Sequence, residues 1–174
     1  MKPMKSLLDT RGVASTALLA VAALFLISAA PAIAAVSLNG QVLGAGAPIT
    51  NSTVTLYSAS AGAPKQLAQA KTGAGGRFTL NAADVPGKEA ILYVVAKGGT
   101  PAANKAGGNN SGIALLSVLG ATPPKTVTIN ELTTVASAFT AAQFINGEAI
   151  SGNPLGLRIA AGNAPNLVDP ATGK

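Results

Sequence analysis

The chain has 174 residues, 48% of them hydrophobic but only 3% aromatic, with 12 basic and 6 acidic residues and a formal charge of +6. It has no His and no Cys, which removes Ser-His-Asp and Cys-His catalysis, His- or Cys-ligated metals, disulfides and a cysteine-linked lipid anchor. The basic residues beyond the first dozen positions are scattered singly from Lys65 to Lys174. They lack the clustered stripe of a nucleic-acid footprint, so no nucleic-acid partner is expected, and no cofactor or metal.

Lys2, Lys5 and Arg11 precede an apolar run from Val13 to Ala30, and Ala32-Ile33-Ala34 offers the small-x-small pattern of a cleavage site. That is the order of a secretory signal peptide over residues 1–34, cut after Ala34, with Ala35 as the next choice. The rival reading is a retained anchor, because the run nearly reaches the ~20 residues that span a bilayer. Domain-like sequence directly after the site favours cleavage. Membrane contact is then expected only through this segment, and the product is secreted, periplasmic or held at the cell surface. Cleavage takes Lys2, Lys5, Arg11 and Asp9 with it, which leaves 9 basic and 5 acidic residues in 140, a charge of +4. A domain of that size without disulfides must rely on core packing.

Val36 to Leu43 reads as a first strand, Gly44 to Ala47 as a loop, and Asn51 to Tyr57 as the clearest strand. Val54 and Leu56 share one face of it; Thr53, Thr55 and Tyr57 share the other, which is expected to be wet. Lys65 to Thr72 alternates weakly, as an edge strand does. Gly73 to Gly76 predicts a tight turn, and Arg77 to Leu80 a short strand with Phe78 and Leu80 inward. Asn81 to Lys88 reads as a connection. The run within Glu89 to Lys97 is apolar, short and β-branched, which predicts a central strand. Gly98 to Gly112 is rich in Gly, Asn, Ala and Pro and predicts a long loop without fixed structure. Ile113 to Leu119 and Lys125 to Ile129 complete seven strands in a sandwich over residues 35–129.

The period then changes. Leu132, Val135, Ala136, Phe139, Ala142 and Gln143 fall at helical spacing. Thr128 and Glu131 stand in the relation of a capping box, with Asn130 as a competing cap. The spacing predicts an amphipathic helix over 130–146, ended by Gly147. Residues 147–174 read as an irregular tail, with one helical turn near Leu155 to Ala161 and the start of a missing region beyond. The helix face of Leu132, Val135 and Phe139 is expected to dock only in part and to serve as an interaction face for another protein or a following domain.

Gly40-Gln41-Val42, Gly46-Ala47-Pro48-Ile49, Val54-Thr55-Leu56-Tyr57 and Thr72 to Phe78 together resemble the pattern of carboxypeptidase regulatory-like domains and of Cna protein B-type repeats. The turn before Phe78 carries one residue more than that pattern. The resemblance spans Val36 to Lys97 and extends weakly to Ile129. It implies a mainly β protein, a seven-stranded prealbumin-like Greek-key sandwich, here followed by a C-terminal α-helix and an irregular tail. Residues 128–136 look like an element of bacterial exported proteins that follows such a sandwich. Some Cna B-type domains carry a Lys–Asn isopeptide bond from the first strand; Val36 to Leu43 contains no Lys, so none is expected.

The remaining candidates for chemistry are few. Asp84, Glu89, Glu131, Glu148 and Asp169 form no motif for a paired-carboxylate hydrolase. Gly73-Ala74-Gly75-Gly76-Arg77 suggests a phosphate cradle but leads into a strand, not a helix, so it reads as a hairpin turn. Asn51-Ser52-Thr53 and Asn109-Asn110-Ser111 fit a glycosylation acceptor and fit turns equally well. Tyr57 and Tyr93 are the only rings expected at the surface, a thin platform for polysaccharide. The expected function is non-catalytic: an exported spacer or interaction module at or outside the cell envelope. The alternatives are a carbohydrate-binding module of similar fold and an accessory domain of a larger hydrolase.

Overall fold

The computed structural model describes residues 34–87 and 90–174. The expected signal segment up to Ile33 lies outside them, as do Lys88 and Glu89. Ala34 and Ala35, the expected cleavage position, are the first two residues of strand β1 (Ala34–Gly44). There follow β2 (Ala47–Thr50), β3 (Thr53–Ala59), β4 (Lys65–Lys71), β5 (Arg77–Val85), β6 (Ile91–Lys97), β7 (Thr100–Pro101), β8 (Ala114–Gly120) and β9 (Thr126–Ile129). Helix α1 (Glu131–Thr140), the hairpin β10 (Ile145–Asn146) and β11 (Ala149–Ile150), and helix α2 (Pro154–Leu167) complete the order. The protein is mainly β. Its strands number eleven among the described residues rather than seven, because four segments of two to four residues also pair.

Two larger sheets carry the fold. One runs β4-β3-β6-β8; the other runs β5-β1-β2-β7, with β9 added parallel to β1. Leu38, Val42, Phe78 and Leu80 of one sheet share a core with Val54, Leu56, Val94 and Ala96 of the other. The second face of β3, β6 and β8 is not wet, as expected from its Thr residues, but covered. Ala59, Ile91, Tyr93, Val95, Leu116 and Val118 there pack against Ala141, Ile150, Leu157, Ala161 and Ala164. Strand β6 is thus buried on both faces, which is why its sequence is apolar without alternation.

Several boundaries differ from the sequence reading. Strand β5 runs on through Val85 because β1 is long enough to pair with it from Ala34 to Gln41; no connection begins at Asn81. Residues 98–112 are held in place. Thr100 and Pro101 pair with Thr50 and Ile49, and the side chains of Asn104, Asn109 and Asn110 accept from the N–H groups of Ala106, Gly99 and Gly112. The backbone at Gly99 approaches β2 so closely that a Cβ would lie 2.7 Å from Ile49 Cγ2.

Helix α1 ends at Thr140, not Asn146, and turns into β10. Its cap is Asn130, whose side chain accepts from Thr133 N–H while the Thr133 hydroxyl accepts from Asn130 N–H. Glu131 takes no part in that box. Its carboxylate accepts from Ala45 N–H at 2.7 Å, in the two-residue turn between β1 and β2, where Ala45 and Gly46 both have positive φ. The tail is not irregular. Asn153 caps α2 by accepting from Leu155 and Gly156 N–H groups, with Pro154 at the first helical position. The last residues fold back on β9: Thr128 N–H donates to Pro170 O and Asn130 Nδ2 to Gly173 O.

Candidate interaction surface

Strand β8 is an edge strand, paired on one side only, with β6. An edge leaves every second N–H and C=O pointing away from its partner. Here helix α1 closes that side. Leu116 N–H donates to the Thr134 hydroxyl at 2.9 Å, and Val118 N–H donates to the Ser137 hydroxyl at 2.8 Å. Only short side chains with an acceptor bring a helix near enough to do this, so the buried face of α1 is Thr133, Ala136 and Ser137.

The consequence is an inverted helix. Its large apolar residues cannot occupy the face that meets β8, and they point to solvent instead. Phe139 is 75% exposed, and Leu132 and Val135 are each more than half exposed. Helix α2 repeats the arrangement: Leu157, Ala160, Ala161 and Ala164 are buried, while Leu155, Ile159 and Leu167 are each more than half exposed. An open groove of about 280 Å³ lies between the helices, with Phe139, Phe144, Gly156 and Ile159 in its walls. It brings Phe139 of α1 and Ile159 of α2 to one groove. The sequence predicts only one helical turn near Leu155 to Ala161, so the full apolar stripe of α2 over Pro154–Leu167 was not legible. Phe144 is half-buried and packs on the second core.

The two tyrosines are brought together but do not form an exposed pair. They are direct partners across β3 and β6, and their rings stack at 5.3 Å with planes 19° apart. Tyr93 is buried, because the β10–β11 hairpin lies over it and Ile150 N–H donates to its hydroxyl at 3.3 Å. Burial pushes the Tyr93 phenol above its ordinary value of 10.0, against the lowering by that hydrogen bond. Both tyrosines line a recess of about 320 Å³, beside Pro64, Asn146 and Glu148. Glu148 is in turn paired with Lys97 at 2.8 Å, which raises the lysine's pKa. With Tyr93 1% exposed and Tyr57 half-buried, the pair presents little ring face on which a sugar could stack.

Among the described residues no group of three or more Asp, Glu, His or Cys side chains could hold a metal ion. Among them, too, no helix is long and apolar enough to cross a membrane.

No protein-family model matches the chain, and no curated protein matches it. Among solved structures it is similar in part to a 9R-lipoxygenase from Cyanothece PCC8801, at 16% identity and a TM-score of 0.36. That likeness covers 55% of this chain and spans only 16% of the lipoxygenase; at such a score it carries no argument about fold or chemistry.

Proposed function

We propose that this chain is an exported, non-catalytic β-sandwich module that acts as an interaction or spacer domain at the cell envelope or outside the cell. The observation that carries the reading is the surface shared by α1 and α2. All six large apolar side chains that stand exposed among the described residues belong to these two helices. Exposed apolar surface concentrated on two helices of an otherwise packed domain, with Phe139 and Ile159 in one groove, marks a site of association. The sheet arrangement supports the architecture implied by the resemblance, a prealbumin-like Greek-key sandwich. The seven strands expected from the sequence correspond to β1, β3, β4, β5, β6, β8 and β9; β2, β7, β10 and β11 are read as additions to that frame. The expected signal cleavage falls where β1 begins, so the folded part would start at the new amino terminus.

The test is made on exported protein. N-terminal sequencing is expected to begin at Ala35; an intact Met1 on membrane-bound protein would favour the anchor instead. Val135, Phe139 and Ile159 changed together to Ser should leave unfolding unaltered and release the protein from its envelope or cell-surface complex. An unchanged distribution of that folded variant would count against the interaction reading.

A further inference from the structure

The sheet that carries no helix has a second feature. An open cleft of about 690 Å³ runs over β1, β5 and β9, within the few hundred to one thousand Å³ usual for small-molecule sites. Its wall chemistry is uniform. Lys71 and Arg77 supply two cations, and Asn39, Gln41, Thr79 and Thr128 supply amides and hydroxyls; no carboxylate lines it. Neither cation has an ion-pair partner among the described residues. Asp169, on the segment that brings Ala171 to the cleft, engages its oxygens with Ala171 N–H and the Thr172 hydroxyl.

The rim is rigid. Lys71 closes β4 and Arg77 opens β5, on either side of the glycine turn 73–76. Gln41 Nε2 donates to Gly75 O at 2.7 Å and locks that turn to β1. Thr72, buried beneath it, donates its hydroxyl to Ile49 O and accepts from Ser52 N–H, both at 2.8 Å. Within the turn, Gly73 N–H donates to Arg77 O and Gly76 N–H to Gly73 O. Those amides are thus engaged, and recognition of an anion falls to the two side chains. The polar wall keeps unused capacity: Asn39 Oδ1 accepts from the Thr79 hydroxyl and leaves its NH₂ free to donate, while Gln41 keeps its carbonyl oxygen.

We infer that this cleft binds an acidic saccharide, with Lys71 and Arg77 on its carboxylates or sulfates and the amides and hydroxyls on its sugar hydroxyls. Paired donors and acceptors along a groove suit a polyol, whereas a simple inorganic anion would need only the cations. A single-stranded nucleic acid would call for aromatic rings on which bases stack, and the sole ring at the cleft, Phe78, is buried.

The experiment is calorimetric titration of the purified protein with a galacturonate trisaccharide, with maltotriose, sodium sulfate and oligothymidylate as comparators. Saturable binding to the galacturonate is expected, weakening with added salt. Lys71→Gln with Arg77→Gln should weaken it by about tenfold or more. Lys65→Gln with Lys105→Gln removes the same charge outside the cleft and should leave it unchanged. Amide shift mapping on the unaltered protein should move Gln41 and Thr79, a readout that needs no variant to fold. The inference is overturned by absence of saturable binding or of shifts at those amides, or by undiminished binding in the cleft variant. It is equally overturned by equal affinity for maltotriose, by sulfate binding as tightly (an adventitious ion only), or by tighter binding of the oligonucleotide.

Discussion

The hydroxyls of α1 make a demand on stability opposite to the one its hydrophobic stripe suggests. Ser137 is 2% exposed and is the acceptor for Val118 N–H. Ser137→Ala leaves that buried N–H without a partner, at a cost of about 1–3 kcal/mol. Thr134→Val does the same to Leu116 N–H while keeping the side chain's volume, and should cost a similar ~1–3 kcal/mol. Phe139→Ala is the contrast. Burying a whole Phe contributes ~1.5–3 kcal/mol, but three quarters of this ring is already in water. The loss should thus stay below ~1 kcal/mol, and the better helix propensity of Ala offsets about half of that. A core Phe would cost ~3–5 kcal/mol. Urea unfolding monitored by circular dichroism separates the cases. With a slope of ~2 kcal/mol/M, Ser137→Ala should move the midpoint down by about 1 M and Phe139→Ala should barely move it. A Phe139→Ala loss at the core value, or a Ser137→Ala variant as stable as the parent, would refute the inverted packing of α1.

Further predictions rest on other local contacts. The folded state holds the Tyr93 proton above pH 10.0, where the unfolded chain releases it. Stability from this group is therefore complete below about pH 10 and falls as pH rises through the raised folded value. Lys97, raised by its hydrogen bond to Glu148, acts in the same direction above 10.5, so unfolding midpoints from pH 8 to 11 should decline less steeply in Tyr93→Phe than in the parent. Gly76 has φ +70, and a Cβ there would lie 2.5 Å from Val42 O; Gly76→Ala should cost more than ~1 kcal/mol and loosen the turn between β4 and β5, which amide exchange at Thr72 and Arg77 would report. The Ser117 hydroxyl is buried with no hydrogen-bond partner among the described residues, so Ser117→Ala should be neutral or stabilising by up to ~1 kcal/mol in denaturant unfolding.

The strands were legible because their signals are local. Alternation marked Val54 and Leu56, glycines marked the turn at 73–76, and the unbroken apolar run in β6 marked a central strand. What stayed hidden depended on partners distant in sequence. Nothing near Ser137 announces that it will meet Val118 N–H, so the stripe of Leu132, Val135 and Phe139 read as a docking face without the reason for its exposure. Glu131 looked like a cap for its own helix because its real partner, Ala45, lies 86 residues away. Tyr93 read as exposed because its cover, the hairpin at Ile150, had no strand signal longer than two residues. Glycine and proline at positions 152–165 masked α2, although Asn153-Pro154 is itself a helix-start signal. The polar cleft was illegible for a related reason: Asn39, Gln41, Arg77 and Thr128 become neighbours only when β5 and β9 flank β1.

The proposed interaction role requires the outward face of the two helices to be a contact surface for another protein. A photo-reactive phenylalanine analogue placed at position 139, 159 or 69 in turn, in cells exporting the protein, tests this directly. Positions 139 and 159 stand on the exposed face of α1 and α2, and Gln69 is exposed on edge strand β4. Irradiation is predicted to give one and the same discrete adduct from 139 and 159, and none from 69. No adduct from the helices, or an equal yield from all three positions, would contradict it.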